Sequence, residues 1–120
     1  MAKVVDLYAL PVPLRHLAEY QKMSKAVGRI FRKHGVTDYR EFAGAQPAMG
    51  KVRPFTAGIR LKRGEILVTA IVGYPSHAAR RRINAAIEKD PKLLAMAAPD
   101  PKKFDMKRMM ASSFETIVDV

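Results

Sequence analysis

The segment Glu65–Tyr74 constrains the fold more than any other part of this sequence. It reads Glu65-Ile66-Leu67-Val68-Thr69-Ala70-Ile71-Val72-Gly73-Tyr74 and is apolar almost without interruption. Strands with alternating polarity have one face in water, whereas a continuous apolar strand is buried on both faces. We therefore predict that this segment is a central strand of a sheet that is covered on both sides.

The remaining elements follow from hydrophobic spacing and from the positions of proline and glycine. Apolar residues three and four positions apart indicate helices, and β-branched or aromatic runs indicate strands. Pro11 and Pro13 are expected to end the first strand, and Gly35 to end the first helix. The resulting prediction is strands at Val4–Leu10, Val36–Phe42 and Arg108–Val118, helices at Leu14–His34 and His77–Lys89, and a short helical turn at Pro91–Met96.

The order of these elements is β-α-β-β-α-β, which predicts a ferredoxin-like α+β domain over residues 1–120. Its four strands form one antiparallel sheet, and both helices pack on the same face. The other face would then be bare, although the central strand is too apolar to face water. A second copy of the chain is the expected cover, so we predict a homodimer.

Composition removes several classes of function. The 120 residues include no cysteine, which excludes disulfide scaffolds, thiolate metal sites and cysteine nucleophiles. No apolar run approaches the roughly 20 residues that span a bilayer, and no leader peptide is apparent, so we expect a cytoplasmic protein without membrane contact. The net charge is +11, and the basic excess is spread along the chain rather than concentrated in a tail.

A series of short motifs carries a family resemblance over nearly the whole chain. The motifs are Val5-Asp6, Gly50-Lys51-Val52 with Phe55, Gly64-Glu65, Tyr74-Pro75-Ser76, Asp90-Pro91 followed by Met96, Lys107-Arg108-Met109, and Phe114-Glu115 with Ile117-Val118-Asp119. In this order they resemble the YbaA-like proteins, an uncharacterised group of the dimeric α+β barrel superfamily. The chain departs from that pattern in its basic charge and at Gly44-Ala45-Gln46-Pro47, where the family usually has an acidic pair.

The resemblance implies two ferredoxin-like subunits packed sheet to sheet. Relatives in the superfamily include monooxygenases, decarboxylating and dehydratase-like enzymes and haem-degrading proteins, which use the cleft between sheet and helices. The resemblance implies no established activity for this chain. It does favour small-molecule binding or conversion in such a cleft.

Polar residues inside otherwise apolar segments are the candidates for that cleft. Two carboxylates interrupt apolar strands, and each must find a partner or water, or else shift its pKa. These carboxylates, Asp6 and Glu115, are ion-paired with Arg108, Arg53 or Arg60, or they act as acid–base groups beside the strand tyrosines, or they are exposed to solvent. The candidate cleft residues are Asp6, Tyr8, His34, Tyr39, Glu41, Arg108 and Glu115.

Histidine gives little support for a metal or cofactor site. His34 is the best of the three candidates because it continues the inward stripe of the first helix, whereas His16 and His77 fit solvated or helix-end positions. No two histidines have the spacing of metal ligands, and no glycine-rich phosphate loop is present. We therefore expect neither a metal nor a cofactor.

The charge of +11 supports an alternative function, the binding of RNA or DNA through a basic surface. Such binding would be non-specific, because lysine and arginine on phosphates carry no base information. The competing interpretation is a solvated basic surface. The candidate residues lie on the two helices and are Lys22, Lys25, Arg29, Arg32, Lys33, Arg80, Arg81 and Arg82.

Overall fold

A computed structural model describes residues 2–44 and 46–120, so Ala45 of the loop after the second strand lies outside the described residues. Three short 3-10 turns, at Leu14–His16, Phe55–Ala57 and Met106–Arg108, connect the main elements. The strands and helices are β1 (Val4–Pro13), α1 (Leu17–Lys33), β2 (Asp38–Gly44), β3 (Glu65–Tyr74), α2 (His77–Glu88), α3 (Pro91–Ala95) and β4 (Met110–Glu115).

The four strands form one antiparallel sheet in the order β2-β3-β1-β4. With α1 and α2 connecting the strands, this is the predicted ferredoxin-like topology. The central position of β3 is confirmed, since it pairs with β1 on one side and with β2 on the other. In the described part of the chain, no helix combines the length and hydropathy needed to cross a membrane.

The prediction that prolines end the first strand is wrong, because β1 continues through Pro11 to Pro13. The register explains how it can. β4 reaches along β1 only as far as Ala9, so beyond that residue β1 has a strand on one side only, namely β3. A proline nitrogen, which has no hydrogen to donate, is tolerated where it faces an edge without a neighbouring strand.

Several other boundaries differ from the prediction by one to three residues. The first helix begins with the 3-10 turn and becomes α-helical only at Leu17, and it ends before Gly35, whose φ is 108°. β2 starts at Asp38, two residues later than predicted. The residue before it, Thr37, donates its backbone N–H to the carbonyl of Gly73. The last strand is shorter than predicted, because Arg108 belongs to a 3-10 turn.

The helix-bearing face of the sheet holds the hydrophobic core. Ala79, Ile83 and Ile87 follow one another at four-residue spacing on α2, and all three are buried against the sheet. Ser76 caps this helix by accepting a hydrogen bond from the N–H of Ala79. A second cluster, near the other end of β1, contains Leu10, Val12, Val68 and Phe104.

The opposite face of the sheet is only partly covered by the described residues: Leu67 of β3 is 3% exposed and lines a pocket together with Phe55. Leu7, Phe42, Met110 and Phe114 point to this face and are between 41% and 57% exposed. We call it the bare sheet face. The prediction that β3 is buried on both sides is therefore met only in part, because Leu67 and Gly73 are buried on the bare sheet face whereas Thr69 and Ile71 are half-buried there.

Candidate functional site

A cavity of about 360 Å³ lies between the sheet and α1. Its floor is made by alternate residues of three strands, and its roof by one face of α1 together with the segment after α3. Ala70 of β3 pairs with Tyr8 on one side and with Glu41 on the other, so these three side chains stand in a row. Because the middle side chain of the row is only a methyl group, it leaves room between its two larger neighbours.

Glu41 connects the sheet to the helix through two tyrosines. The Tyr20 hydroxyl on α1 donates to one carboxylate oxygen at 2.6 Å, and the Tyr39 hydroxyl on β2 donates to the other at 3.1 Å. A carboxylate has about four acceptor positions, so two remain for a further donor. In the described residues the Tyr8 hydroxyl makes no side-chain hydrogen bond, which leaves it available to the cavity.

The environment keeps these tyrosines in their neutral form. Burial, and then the nearby Glu41 carboxylate, raise the pKa of the Tyr20 and Tyr39 hydroxyls far above the ordinary value of 10.0. Burial and the charge of Asp6 raise the pKa of Tyr8 as well. The cavity therefore presents the Glu41 oxygens as acceptors and the Tyr8 hydroxyl as a free donor, since the protons of Tyr20 and Tyr39 are already donated to Glu41.

The tyrosines also predict how stability depends on alkaline pH. Burial, followed by the charge of Asp6, raises the pKa of the remaining tyrosine, Tyr74, to about 12, so all four tyrosines of the chain ionise less readily when folded. The stability that the neutral tyrosines contribute is fully present below pH 10. As the pH rises through their raised pKa values, the unfolded chain ionises first and the free energy of unfolding falls. We expect tyrosinate absorbance to appear together with the loss of far-ultraviolet circular dichroism. Full ionisation near pH 10 in a chain that remains folded would contradict this.

Asp6 stands on the helix side of β1 but does not line the cavity. Its carboxylate is buried and receives three hydrogen bonds from the Arg80 guanidinium, at 3.0, 3.2 and 3.0 Å. The guanidinium carbon also lies 5.7 Å from the centre of the Tyr74 ring. The ion pair expected of Asp6 is present, but its partner is Arg80 and none of the three arginines that the sequence suggested.

The other predicted cleft residues lie outside the cavity lining, each in a contact of its own. His34 at the end of α1 meets Asp90 at 2.6 Å, Arg108 binds Glu65 at 2.6 and 2.9 Å, and Glu115 meets His77 at 2.7 Å. The structure thus brings together Tyr8, Tyr39 and Glu41 from the predicted set. It places Asp6 and Arg108 in ion pairs elsewhere, and His34 and Glu115 in hydrogen bonds with Asp90 and His77.

His34 lies outside the cavity because its ring contacts the buried carboxylate of Asp90. Lys33 at 2.7 Å and then His34 hold the pKa of the Asp90 carboxyl well below its ordinary value. The same carboxylate accepts from the backbone N–H groups of Lys92 and Leu93 and so caps α3. His34 therefore joins the end of α1 to the start of α3, and the arrangement gives it a structural role.

Most residues of the cavity lining were not among the predicted cleft residues, and two of them, Tyr20 and Ala70, shape its polar part. Tyr20 lies on the inward stripe of α1, where the sequence suggests core packing, but a buried tyrosine needs a partner for its hydroxyl. The need for such a partner is the feature of the sequence that could have identified Tyr20 as a site residue. Ala70 gave no signal of its own, because its importance comes from the strand register.

The predicted basic residues do not form one free surface. Arg80 is paired with Asp6, Lys33 is paired with Asp90, and Arg32 donates to the carbonyl of Thr37 at 3.0 Å. The remaining five are exposed on two different helices: Lys22, Lys25, Arg29, Arg81 and Arg82. In residues 2–44 and 46–120, no group of three or more acidic or histidine side chains is arranged to hold a metal ion.

Comparison with known sequences gives one family and several relatives. A family model described as "Protein of unknown function (DUF1428)" matches residues 3–106. The uncharacterized protein YbaA of Escherichia coli K12 is 28% identical over 117 residues, which is 98% of each chain. The protein of the same description from Shigella flexneri has the same identity and coverage.

Comparison with solved structures supports the fold. An uncharacterized NIPSNAP domain protein from Burkholderia xenovorans superposes with a TM-score of 0.58 at 12% identity, over 94% of this chain and 93% of that one. A candidate antibiotic biosynthesis monooxygenase from Bacillus cereus superposes with a TM-score of 0.54 at 12% identity, over 100% and 96% of the two chains. At this identity the likeness is one of fold only.

Proposed function

The chain belongs to the DUF1428 family of proteins of unknown function, and we propose from its own site that it binds a compact, largely apolar molecule carrying a hydrogen-bond donor. The ligand would occupy the cavity between the sheet and α1. Its donor would bind Glu41, and its apolar body would lie against the surrounding aliphatic and aromatic side chains.

The observation that carries this proposal is the row formed by Tyr8, Ala70 and Glu41. Ligand sites are concave, mostly apolar and fitted with a few convergent polar groups. This cavity has those properties, and its volume of about 360 Å³ is at the small end of the usual range. The ligand should therefore be compact.

Glu41 determines what kind of polar group the ligand needs. Tyr20 and Tyr39 keep the carboxylate in place and leave two of its acceptor positions unused. A ligand hydroxyl or amine would meet those positions, whereas a ligand carboxylate would be repelled. The Tyr8 hydroxyl could contact the same ligand group from the other end of the row.

The fold likeness to a candidate antibiotic biosynthesis monooxygenase is compatible with small-molecule chemistry. Fold alone does not transfer a reaction, because one fold supports many activities. The proposal is therefore limited to binding. Glu41 is the cavity group that would accept a proton if a bound donor were to react.

The test uses 4-ethylphenol as the probe and ethylbenzene, which lacks the hydroxyl, as its matched control. We expect 4-ethylphenol to bind at least about tenfold more tightly, because a hydrogen bond to a charged acceptor contributes about 1.5–3 kcal/mol. Glu41→Gln should remove most of this preference. Ala70→Leu should weaken both probes by filling the cavity, and binding is measured by titration calorimetry and amide NMR shifts.

Ala85→Leu is the control for the added side chain, because Ala85 is exposed on α2. It should leave both affinities unchanged. Equal affinity of the two probes in the unmodified protein, or unchanged binding in a folded Ala70→Leu variant, would contradict the proposal. Circular dichroism establishes that each variant is folded.

A homodimer is the second part of the proposal, and the bare sheet face supports it. This face carries Leu7, Phe42, Met110 and Phe114 with large exposed fractions. Packing two copies face to face would remove these side chains from water. The ligand cavity lies on the opposite side of the sheet, so it would stay open in such a dimer.

A further inference from the structure

We propose that a second groove, between α1 and the outer edge of β2, binds a small aromatic anion. The groove has a volume of about 600 Å³ and is more open than the cavity. One face of α1 forms one wall, from Leu17 to Arg32, and β2 forms the other, from Tyr39 to Ala43. This site does not depend on the function proposed for the cavity.

Positive charge converges on this groove. Lys25, Arg29 and Arg32 follow one another along α1 at spacings of four and three, which places them on one helix face. Arg40 borders the groove at the edge of β2, but its side chain lies on the bare sheet face beside Phe42. The only acidic side chain in the lining is Glu41, whose two oxygens are engaged by Tyr20 and Tyr39. An anion in the groove would therefore meet the three cations of α1 and a single acidic group.

Two of these cations are available without breaking another contact. In the described residues neither Lys25 nor Arg29 has a salt bridge. Arg32 uses one nitrogen for the carbonyl of Thr37, and Arg40 pairs with the half-buried Asp38 at 2.8 Å. Lys25 and Arg29 are thus the residues that we expect to contribute most to anion binding.

Aromatic surface in the groove favours a ligand with a flat apolar part. The Tyr39 ring lies directly against Gly28 of α1, where a Cβ atom would be only 2.7 Å from two ring carbons. Phe42 borders the groove only at the sheet edge, because its ring lies on the bare sheet face with the Arg40 guanidinium carbon 5.7 Å from its centre. An aromatic ligand could lie against the Tyr39 ring while its anionic group reaches Lys25 and Arg29.

The edge position of β2 adds hydrogen-bond donors. Among the described strands β2 pairs only with β3, so alternate backbone N–H groups on its outer side lack a strand partner. Backbone N–H groups and guanidinium groups together suit carboxylate, sulfonate or phosphate oxygens.

The arrangement favours a small anion over a nucleic acid. A polyanion needs an extended strip of cations, but Arg80 and Lys33 are already paired, and Arg81 and Arg82 lie on a different helix from the groove. The free cations of α1 instead border a concave site. The ligand class is therefore an aromatic carboxylate, sulfonate or phosphate.

The test compares 1-naphthyl phosphate with uncharged 1-naphthol at about 150 mM salt, where charges beyond roughly 8 Å are largely screened. We expect the combined variant Lys25→Gln with Arg29→Gln to weaken 1-naphthyl phosphate binding at least about tenfold. Its matched control, Arg81→Gln with Arg82→Gln, makes the same change in net charge and should have no such effect. Binding of 1-naphthol should be similar in both variants.

Three outcomes would overturn this inference. Equal weakening in the two charge variants would show general attraction rather than a groove. Loss of 1-naphthyl phosphate binding in Ala70→Leu would assign the ligand to the cavity, whose function is tested separately with 4-ethylphenol. Displacement of 1-naphthyl phosphate by lower concentrations of a single-stranded RNA oligonucleotide would show that the surface prefers a polyanion.

Discussion

Replacing Arg80 with alanine is expected to lower the free energy of unfolding by about 3 kcal/mol. The change leaves the Asp6 carboxylate, which is 4% exposed, without the three hydrogen bonds from the guanidinium. Removing one partner of a buried ion pair costs about 3–5 kcal/mol, because a charge then stays buried without compensation. The lower end applies here, since water can enter the space that the arginine leaves.

Replacing the other partner should cost less. In Asp6→Asn the remaining charge is on Arg80, whose side chain is 32% exposed and can turn toward water. We expect a loss of about 1–2 kcal/mol. The double variant should be less destabilised than the sum of the single losses, and urea unfolding at a fixed protein concentration measures all four proteins. Losses that add up in the double variant would contradict the ion pair.

Replacing Leu7 and Phe114 together with lysine is expected to convert a dimer into a monomer. Both side chains point from the bare sheet face, on neighbouring strands. In a face-to-face dimer the two-fold symmetry would bury four lysine charges, two from each copy. Burial of unpaired charges is strongly unfavourable, so the two copies should no longer associate through this face.

Analytical ultracentrifugation at micromolar concentration provides the measurement. The unmodified protein should sediment at about twice 13.4 kDa and the double variant at 13.4 kDa. Leu94→Lys is the control, because Leu94 is an exposed apolar residue on α3, away from the bare sheet face. A folded, monomeric unmodified protein would contradict the dimer, and so would equal dissociation by the control.

The sequence predicted the order of the elements because its strongest patterns are local. The apolar run of β3, the inward spacing of α2 and the Ser76 cap each depend on a few neighbouring residues. The end of β1 was predicted wrongly for the opposite reason. Whether Pro11 can remain in a strand depends on how far β4 extends beside it, and that is decided by a segment about a hundred residues away.

In the candidate site, too, local sequence patterns predict some residues, whereas long-range packing determines the others. Tyr8, Tyr39 and Glu41 were predicted as cleft residues because they are polar groups on predicted strands, with the tyrosines as hydrogen-bonding neighbours of a strand carboxylate. The register that places Ala70 between Tyr8 and Glu41 is a property of the whole sheet. The pairing of Asp6 with Arg80, 74 positions apart, depends on the packing of α2 and could not be chosen from the many arginines in the chain.

A crystal structure of the protein with 4-ethylphenol tests the central claim most directly. The proposal predicts the ligand ring in the cavity above Ala70, with its hydroxyl within hydrogen-bond distance of the Glu41 carboxylate. Tyr20 and Tyr39 should keep their hydrogen bonds to the same carboxylate. An empty cavity at saturating ligand, or a ligand found only on the bare sheet face, would contradict the proposed function.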